Sequence, residues 1–329
     1  MLSFLRKYIL QLLVCICYDK KQYTIRCHTW KNSKAVDTFE KTFEDKARAV
    51  EYVKNLSKDF QIYYINTFFT SIAQGVAPSS NYKELSKFGV DTNTVKCLPL
   101  NNALMYVANS SLELYQQDFE DFGGLDLLYS PFFLLYHSIE KKGFDDKVSL
   151  YVYRYHDFVA MLICKNKEIY FGSYFDIASQ DYNEEEIFED IQDEEEPLEL
   201  TQELEGEKNE EDVENTEENY ELKSLEEMGE DFDKIESLEE QTEQVPMEDL
   251  ENFSTNMKMI EFIIDSVKEF YNNPLYNNSF LEKIVIFDEE EFSNTSLDYL
   301  ENELFIRPEV ELIDTLDIMN ELVVRDLKL

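Results

Sequence analysis

Val148-Ser149-Leu150-Tyr151-Val152-Tyr153-Arg154-Tyr155, a turn at His156-Asp157, Phe158-Val159-Ala160-Met161-Leu162-Ile163-Cys164, a turn at Lys165-Asn166-Lys167 and a third run over residues 168–177 form the stretch that decides the fold. Runs of β-branched and aromatic residues joined by two short polar turns make an antiparallel meander. The plan occurs once before, as Leu12-Leu13-Val14-Cys15-Ile16-Cys17-Tyr18, a turn at Asp19-Lys20-Lys21, Tyr23-Thr24-Ile25-Arg26-Cys27-His28-Thr29-Trp30, a turn at Lys31-Asn32-Ser33 and a run over 35–43. A duplicated meander predicts two related α/β halves, residues 1–140 and 141–329.

Working outward, a helix follows each meander. Residues 45–56 carry Ala49, Val50, Val53 and Leu56 at helical spacing, and residues 257–270 carry Ile260, Ile263, Ile264 and Val267 likewise. Between the halves, residues 61–69 and 94–107 read as strands around a loop with Gly75, Pro78 and Gly89, which predicts a small inserted subdomain over about 60–120. Residues 125–139 read as a helix with Pro131 near its first turn. A strand over 283–287, a helix around 297–304, a short strand near 310–313 and a tail from Leu316 complete the chain.

The second half is interrupted. Residues 184–251 hold 32 Asp and Glu against Lys208, Lys223 and Lys234, so this stretch carries −29 of the formal −40, and the other 261 residues carry −11. Few of its side chains could be buried to offset the entropy of ordering it, and the reading is a disordered acidic insertion over 181–256. It is either a solvated spacer or a docking segment for a basic partner. So acidic a chain is repelled by phosphate backbones and anionic lipid, which argues against direct nucleic-acid binding or direct membrane insertion. Near the N-terminus, Arg6 and Lys7 interrupt an apolar run too short to span a bilayer, which predicts a cytoplasmic protein. Cys15, Cys17, Cys27, Cys97 and Cys164 form no paired metal-ligand motif and read as buried reduced thiols, with Cys15 and Cys17 on one face of a strand.

A meander, a helix, an inserted subdomain, and then meander and helix again resemble the layout of the actin-like ATPase fold. Within it the chain resembles the PilM and GspL-type cytoplasmic proteins of type IV pilus, competence and type II secretion machines. The resemblance rests on that order, on Gly124-Leu125-Asp126-Leu127-Leu128-Tyr129-Ser130-Pro131-Phe132-Phe133-Leu134-Leu135 leading into the second meander, and on the late strand and helices. It implies a degenerate actin-like α/β fold of two ribonuclease-H-like halves. Members that bind ATP use an Asp-x-Gly turn in each meander and a Gly-Gly turn after the late strand, because glycine lets backbone amides close around phosphate. This chain has Cys17-Tyr18-Asp19-Lys20-Lys21, Tyr153-Arg154-Tyr155-His156-Asp157 and Phe287-Asp288-Glu289-Glu290-Glu291 at those places, without glycine. A triphosphate beside those carboxylates would meet like charge.

The remaining chemistry is sparse. No phosphate-binding loop or nucleophile elbow occurs, and Gly123-Gly124 reads as a turn before a helix. His28 on a strand, His137 in a helix and His156 in a turn are isolated and read as structural. Asp288 to Glu291 reads as a solvated run able at most to chelate a hard cation weakly. The expectation is a non-catalytic scaffold without cofactor or metal. The resemblance implies a partner, the cytoplasmic peptide of a bitopic inner-membrane assembly protein, and contact with the assembly ATPase. It sets the peptide groove beside the inserted subdomain, near residues 63–69 and 98–107, lined by residues such as Tyr64, Phe68 and Phe69. A divergent actin-like ATPase, and an acidic adaptor acting through its insertion, are the alternatives.

Overall fold

In the computed structural model the chain is described at residues 8–18, 22–156, 158–176, 247–290 and 293–329, with side chains described from 254 onward in the segment that begins at 247. The turns at Asp19 to Lys21 and at Asp157, the residue Glu291 and the acidic stretch 184–246 lie outside the described residues.

The first meander comprises β1 (Gln11–Tyr18), β2 (Tyr23–Lys31) and β3 (Lys34–Phe43). β1 is buried on both faces from Gln11 to Cys17, as its continuous apolar run requires of an interior strand. After α1 (Lys46–Ser57), which Asp45 caps by accepting from Arg48 N at 3.0 Å, β4 (Ile62–Phe68) runs parallel to β1. β5 (Gln74–Ala77), β6 (Val95–Leu100) and β7 (Ala103–Ala108) make a separate antiparallel sheet in the order β5-β7-β6, followed by α2 (Asn109–Asp118). β8 (Leu127–Tyr129) returns beside β4, and α3 (Pro131–Lys142) follows.

The second half repeats the plan. β9 (Ser149–Tyr155), β10 (Phe158–Lys165) and β11 (Glu168–Asp176) form the meander, and α4 (Met247–Asn272) leads to β12 (Lys283–Asp288). Then come α5 (Asn294–Leu304), β13 (Glu309–Leu312) and α6 (Thr315–Leu327). The strand orders are β3-β2-β1-β4-β8 and β11-β10-β9-β12-β13, each an antiparallel meander whose first strand is extended by two parallel neighbours. This is the duplicated actin-like architecture the meanders predict. The described residues up to 176 and from 255 onward belong to one compact unit.

The halves exchange helices. α3 packs on β9 and β10 of the second sheet, α6 packs on β1 and β4 of the first, and the two helices pack against each other. One apolar core thereby joins the halves, from Leu13, Cys15 and Cys17 through Phe132 and Leu135 to Tyr153, Leu162, Met319 and Leu322. The outer faces have their own cores, with α1 on the first sheet and α4 and α5 on the second.

Two expectations need correction. The stretch 125–139 is not one helix: Leu127–Tyr129 pairs in parallel with β4, and the helix begins at Pro131 behind the N-cap Ser130. A short apolar run fits either period, and here tertiary pairing decides. The tail expected from Leu316 is instead α6, started by Asp314 accepting from Asp317 N at 2.9 Å, and it buries Leu316, Ile318, Met319, Leu322 and Val323.

The small sheet also touches the second half. Gly172 of β11 lies so close to β5 that a Cβ there would sit 2.7 Å from Val76 Cβ. Beside it, Asn102 accepts from Ile169 N at 2.8 Å and donates to Ile169 O at 2.9 Å.

Candidate functional site

Parallel strands bring their C-terminal ends to one side of a sheet, and ligands of open α/β sheets bind there. In this chain that side gathers the ends of β1, β9 and β12 and the N-terminus of α6. Side chains from both halves meet between them. Tyr155 sets its ring edge-on to Phe68 at 5.0 Å between centroids and lies 5.6 Å from Phe158, which is 5.5 Å from Tyr174. Tyr174 approaches Phe132 at 6.3 Å and donates to Thr70 O at 2.8 Å. Cys17 Sγ lies 3.8 Å from Met319 Sδ.

The polar groups are equally occupied. The hydroxyls of Tyr153 and Thr315 form a buried hydrogen bond of 2.6 Å. Glu289 Oε1 accepts from Thr315 N at 2.5 Å, so the first turn of α6, a natural anion site, is met by the chain's own carboxylate. Burial raises the Glu289 pKa above the ordinary range, and the bonds from Thr315 only temper this. Asp288, 1% exposed, has Oδ2 2.8 Å from Arg154 Nε. Burial raises the Asp288 pKa too, against the pull of the Arg154 charge. Arg154 also reaches Asn256 Oδ1 and, at 3.4 Å, Glu290 Oε2.

On the first half, Arg26 holds Asp314 at 2.5 Å, Glu40 at 2.6 Å and Asp317 at 2.9 Å. Burial opposes its charge, but the hydrogen bonds to Asp314 and Glu40 prevail and keep its pKa above the ordinary arginine value. His156 takes a left-handed φ of 44° in the β9–β10 turn, with Nδ1 3.6 Å from Glu290. Among the described residues around this cleft, the cations Arg26 and Arg154 are each already matched by carboxylates.

The three residues expected to line a peptide groove do not form one. Phe68 is 3% exposed within the aromatic cluster, Phe69 is 1% exposed with its ring 4.8 Å from Tyr115, and Tyr64 is half-buried against the joint core. β4 lies between β1 and β8, and β8 covers its other edge from Asn66 to Phe68. The carboxylate run after β12 is likewise not simply solvated: Asp288 and Glu289 are internal partners, and Glu290 alone of the described three is exposed. Sequence reasoning missed Arg154, whose signal was a lone cation inside an apolar alternating run, and Thr315, which gave none. His28 bonds Thr38 at 3.0 Å and His137 bonds Glu321 at 2.9 Å.

Residues 150–328 match the family described as Domain of unknown function (DUF8341). The chain belongs to the DUF8341 family. Residues 9–136 of this DUF8341 member also match a second family, Domain of unknown function (DUF8569). No curated protein matches it in sequence. Among solved structures it is similar to a Bacteroides thetaiotaomicron protein with an actin-like ATPase fold and unknown function, at 9% identity and a TM-score of 0.47 over 97% of this chain and 98% of that one. It is similar to the PilM–PilN type IV pilus biogenesis complex at 11% identity and a TM-score of 0.49, over 96% of this chain and 93% of that one. A third likeness is to the activator of the 2-hydroxyisocaproyl-CoA dehydratase from Clostridium difficile with bound ADPNP, at 8% identity and a TM-score of 0.36, over 98% of both chains. The actin-like assignment of the DUF8341 chain stands on its own duplicated strand order. No helix among the described residues is long and apolar enough to cross a membrane.

Proposed function

We propose that this chain is a non-catalytic scaffold, an actin-like body whose nucleotide cleft is given over to internal packing and which acts by holding partner proteins. The observation that carries the reading is the contact of Glu289 with Thr315 N at 2.5 Å. It puts a carboxylate on donors that a phosphate would need, in a cleft also filled by Phe68, Tyr155, Phe158 and Tyr174. A nucleotide would have to displace a bonded carboxylate and meet Glu290 without gaining an unpaired cation among the described residues. Calorimetric titration of the full chain with Mg-ATP tests this. No binding heat is expected; micromolar binding lost on changing Asp19 or Asp157 would overturn it.

The proposed setting, on the strength of the layout resemblance, is the cytoplasmic side of a pilus, competence or secretion apparatus. There the scaffold is recruited by the cytoplasmic peptide of a bitopic inner-membrane protein. β6, an edge of the small sheet with Leu98 about half exposed, supports strand addition at that sheet. Fractionating cells with and without the candidate partner tests the setting. The chain should leave the membrane fraction when the partner is removed, and retention without it would refute recruitment.

A further inference from the structure

Among the described residues β3 is the longest strand, at ten residues, and it ends the first sheet. Among the described residues no strand pairs with its outer edge. All of its residues but Phe39 and Phe43 are exposed, including Val36 at 61%. A long, open edge is a pairing template, and soluble proteins keep one bare only when charge or a bulge guards it or a partner covers it; β3 slips against β2 at Val36 and pairs regularly with it from Asp37 to Phe43.

The charges on β3 guard it poorly and complement one another well. Asp37 accepts from the N–H of its neighbour Thr38, and Lys41 Nζ stands 5.2 Å from the ring centroids of Phe43 and Tyr52. Among the described residues no ion pair engages Lys34, Asp37, Lys41 or Glu44. We propose that β3 is the contact strand of a two-fold symmetric dimer, in which the β3 strands of two copies pair antiparallel with Phe39 on the axis.

That register sets 38 opposite 40 and 37 opposite 41, and, once Val36, the extra residue where β3 slips against β2, is drawn into line, 36 opposite 42 and 34 opposite 44. Asp37 then faces the Lys41 of the second copy, and Lys34 faces its Glu44. Symmetry repeats each pair, so four opposite-charge pairs form at once. Asp37, Phe39 and Lys41 alternate onto the face that carries α1, so the two Phe39 rings meet there at the axis. An axis at Glu40 would oppose that carboxylate to its own copy, and an axis at Thr38 would leave Lys41 opposite Ala35. Phe39 is the axis that satisfies every charge on the strand except Glu40, which Arg26 already holds. The net charge of −40 repels a second copy over distance, so the dimer is a weak one, formed at high protein concentration.

Sedimentation velocity of the full chain from about 1 to 300 µM is the test. A shift from monomer to dimer is expected. Asp37→Lys and Lys41→Asp should each weaken the dimer about tenfold by creating like-charge pairs, and the combined exchange should restore it to within about threefold. Glu44→Lys, an exposed change beyond the end of β3, should weaken it about threefold and serves where a strand variant fails to fold by circular dichroism. A chain monomeric at every concentration, single variants that dimerise like the parent, or an exchange that does not recover would each overturn the proposal.

Discussion

The Tyr153 hydroxyl on β9 lies 2.6 Å from Thr315 Oγ1 at the first turn of α6, a buried bond between an interior strand and a helix that reaches across to the other sheet. Because α6 also packs on β1 and β4, this bond ties the second sheet to the first. Tyr153→Phe removes one partner and leaves the Thr315 hydroxyl buried without it, at a cost of about 1–3 kcal/mol. Thr315→Val should cost a similar amount, and the double variant should cost less than the two together. Urea unfolding of all three measures the coupling.

Glu289 and Asp288 both have folded pKa values raised above their ordinary values of 4.5 and 3.8, chiefly by burial. A carboxyl whose pKa rises on folding binds more protons in the folded state between its ordinary and its raised value. Its contribution to stability therefore falls as pH climbs through that window and is most favourable below it. Glu289→Gln keeps an oxygen to accept from Thr315 N without the buried charge. It should flatten the decline in urea midpoint from about pH 4 upward, relative to the parent chain. A slope unchanged by the substitution would mean Glu289 does not titrate there.

Gly172 has no room for a side chain, since Val76 Cβ and Leu162 Cδ2 would lie 2.7 and 3.0 Å from its Cβ. Gly172→Val should destabilise by about 1–3 kcal/mol through overpacking between β11 and β5. Val76→Gly, which removes the Cβ that lies 2.7 Å away, should return part of that loss when combined with it. A thermal-denaturation series on the two single variants and the pair checks the prediction.

The stretch 184–251 carries −29 of the formal charge, and few of its side chains could contribute to a core. Deleting 184–251 and closing the gap with a short Gly-Ser linker should leave the thermal midpoint within a few degrees of the full chain's. A fall of more than about 8 °C would mean the stretch contributes more than about 2 kcal/mol to the body it interrupts.

Much of the fold was legible because its signals are local. β1, β9 and β10 are unbroken apolar runs, the turns between meander strands are polar, and α1 and the body of α4 keep their apolar residues at helical spacing. The helical spacing of Leu316, Met319 and Val323 was present as well, but the surface that makes α6 a helix of the core is supplied by β1, some 300 residues earlier, where Cys17 meets Met319. β8 is three residues long, too short for any pattern, and exists through its pairing with Asn66, Thr67 and Phe68.

The site was less legible, for the same reason. The missing glycines and the carboxylates after β12 could be read from the chain, and with them the lack of a phosphate loop. What those carboxylates do could not: Asp288 reads as a solvated acid until Arg154 is set beside it, and Glu289 until α6 starts at its oxygen. Phe68 and Phe69 read as an aromatic surface until Tyr155, Phe158 and Tyr115 pack against them.

By itself, then, the sequence determined the duplicated meanders, the helices that follow them and the position of the acidic insertion. Backbone propensity, side-chain period and charge density act over a few residues and need no partner. Only the tertiary structure decided that α3 and α6 exchange halves, that the cleft closes on its own aromatic and acidic side chains, and which strand edges stay open. Each of those depends on groups far apart in the chain, whose burial and hydrogen bonding exist only once the two sheets have come together.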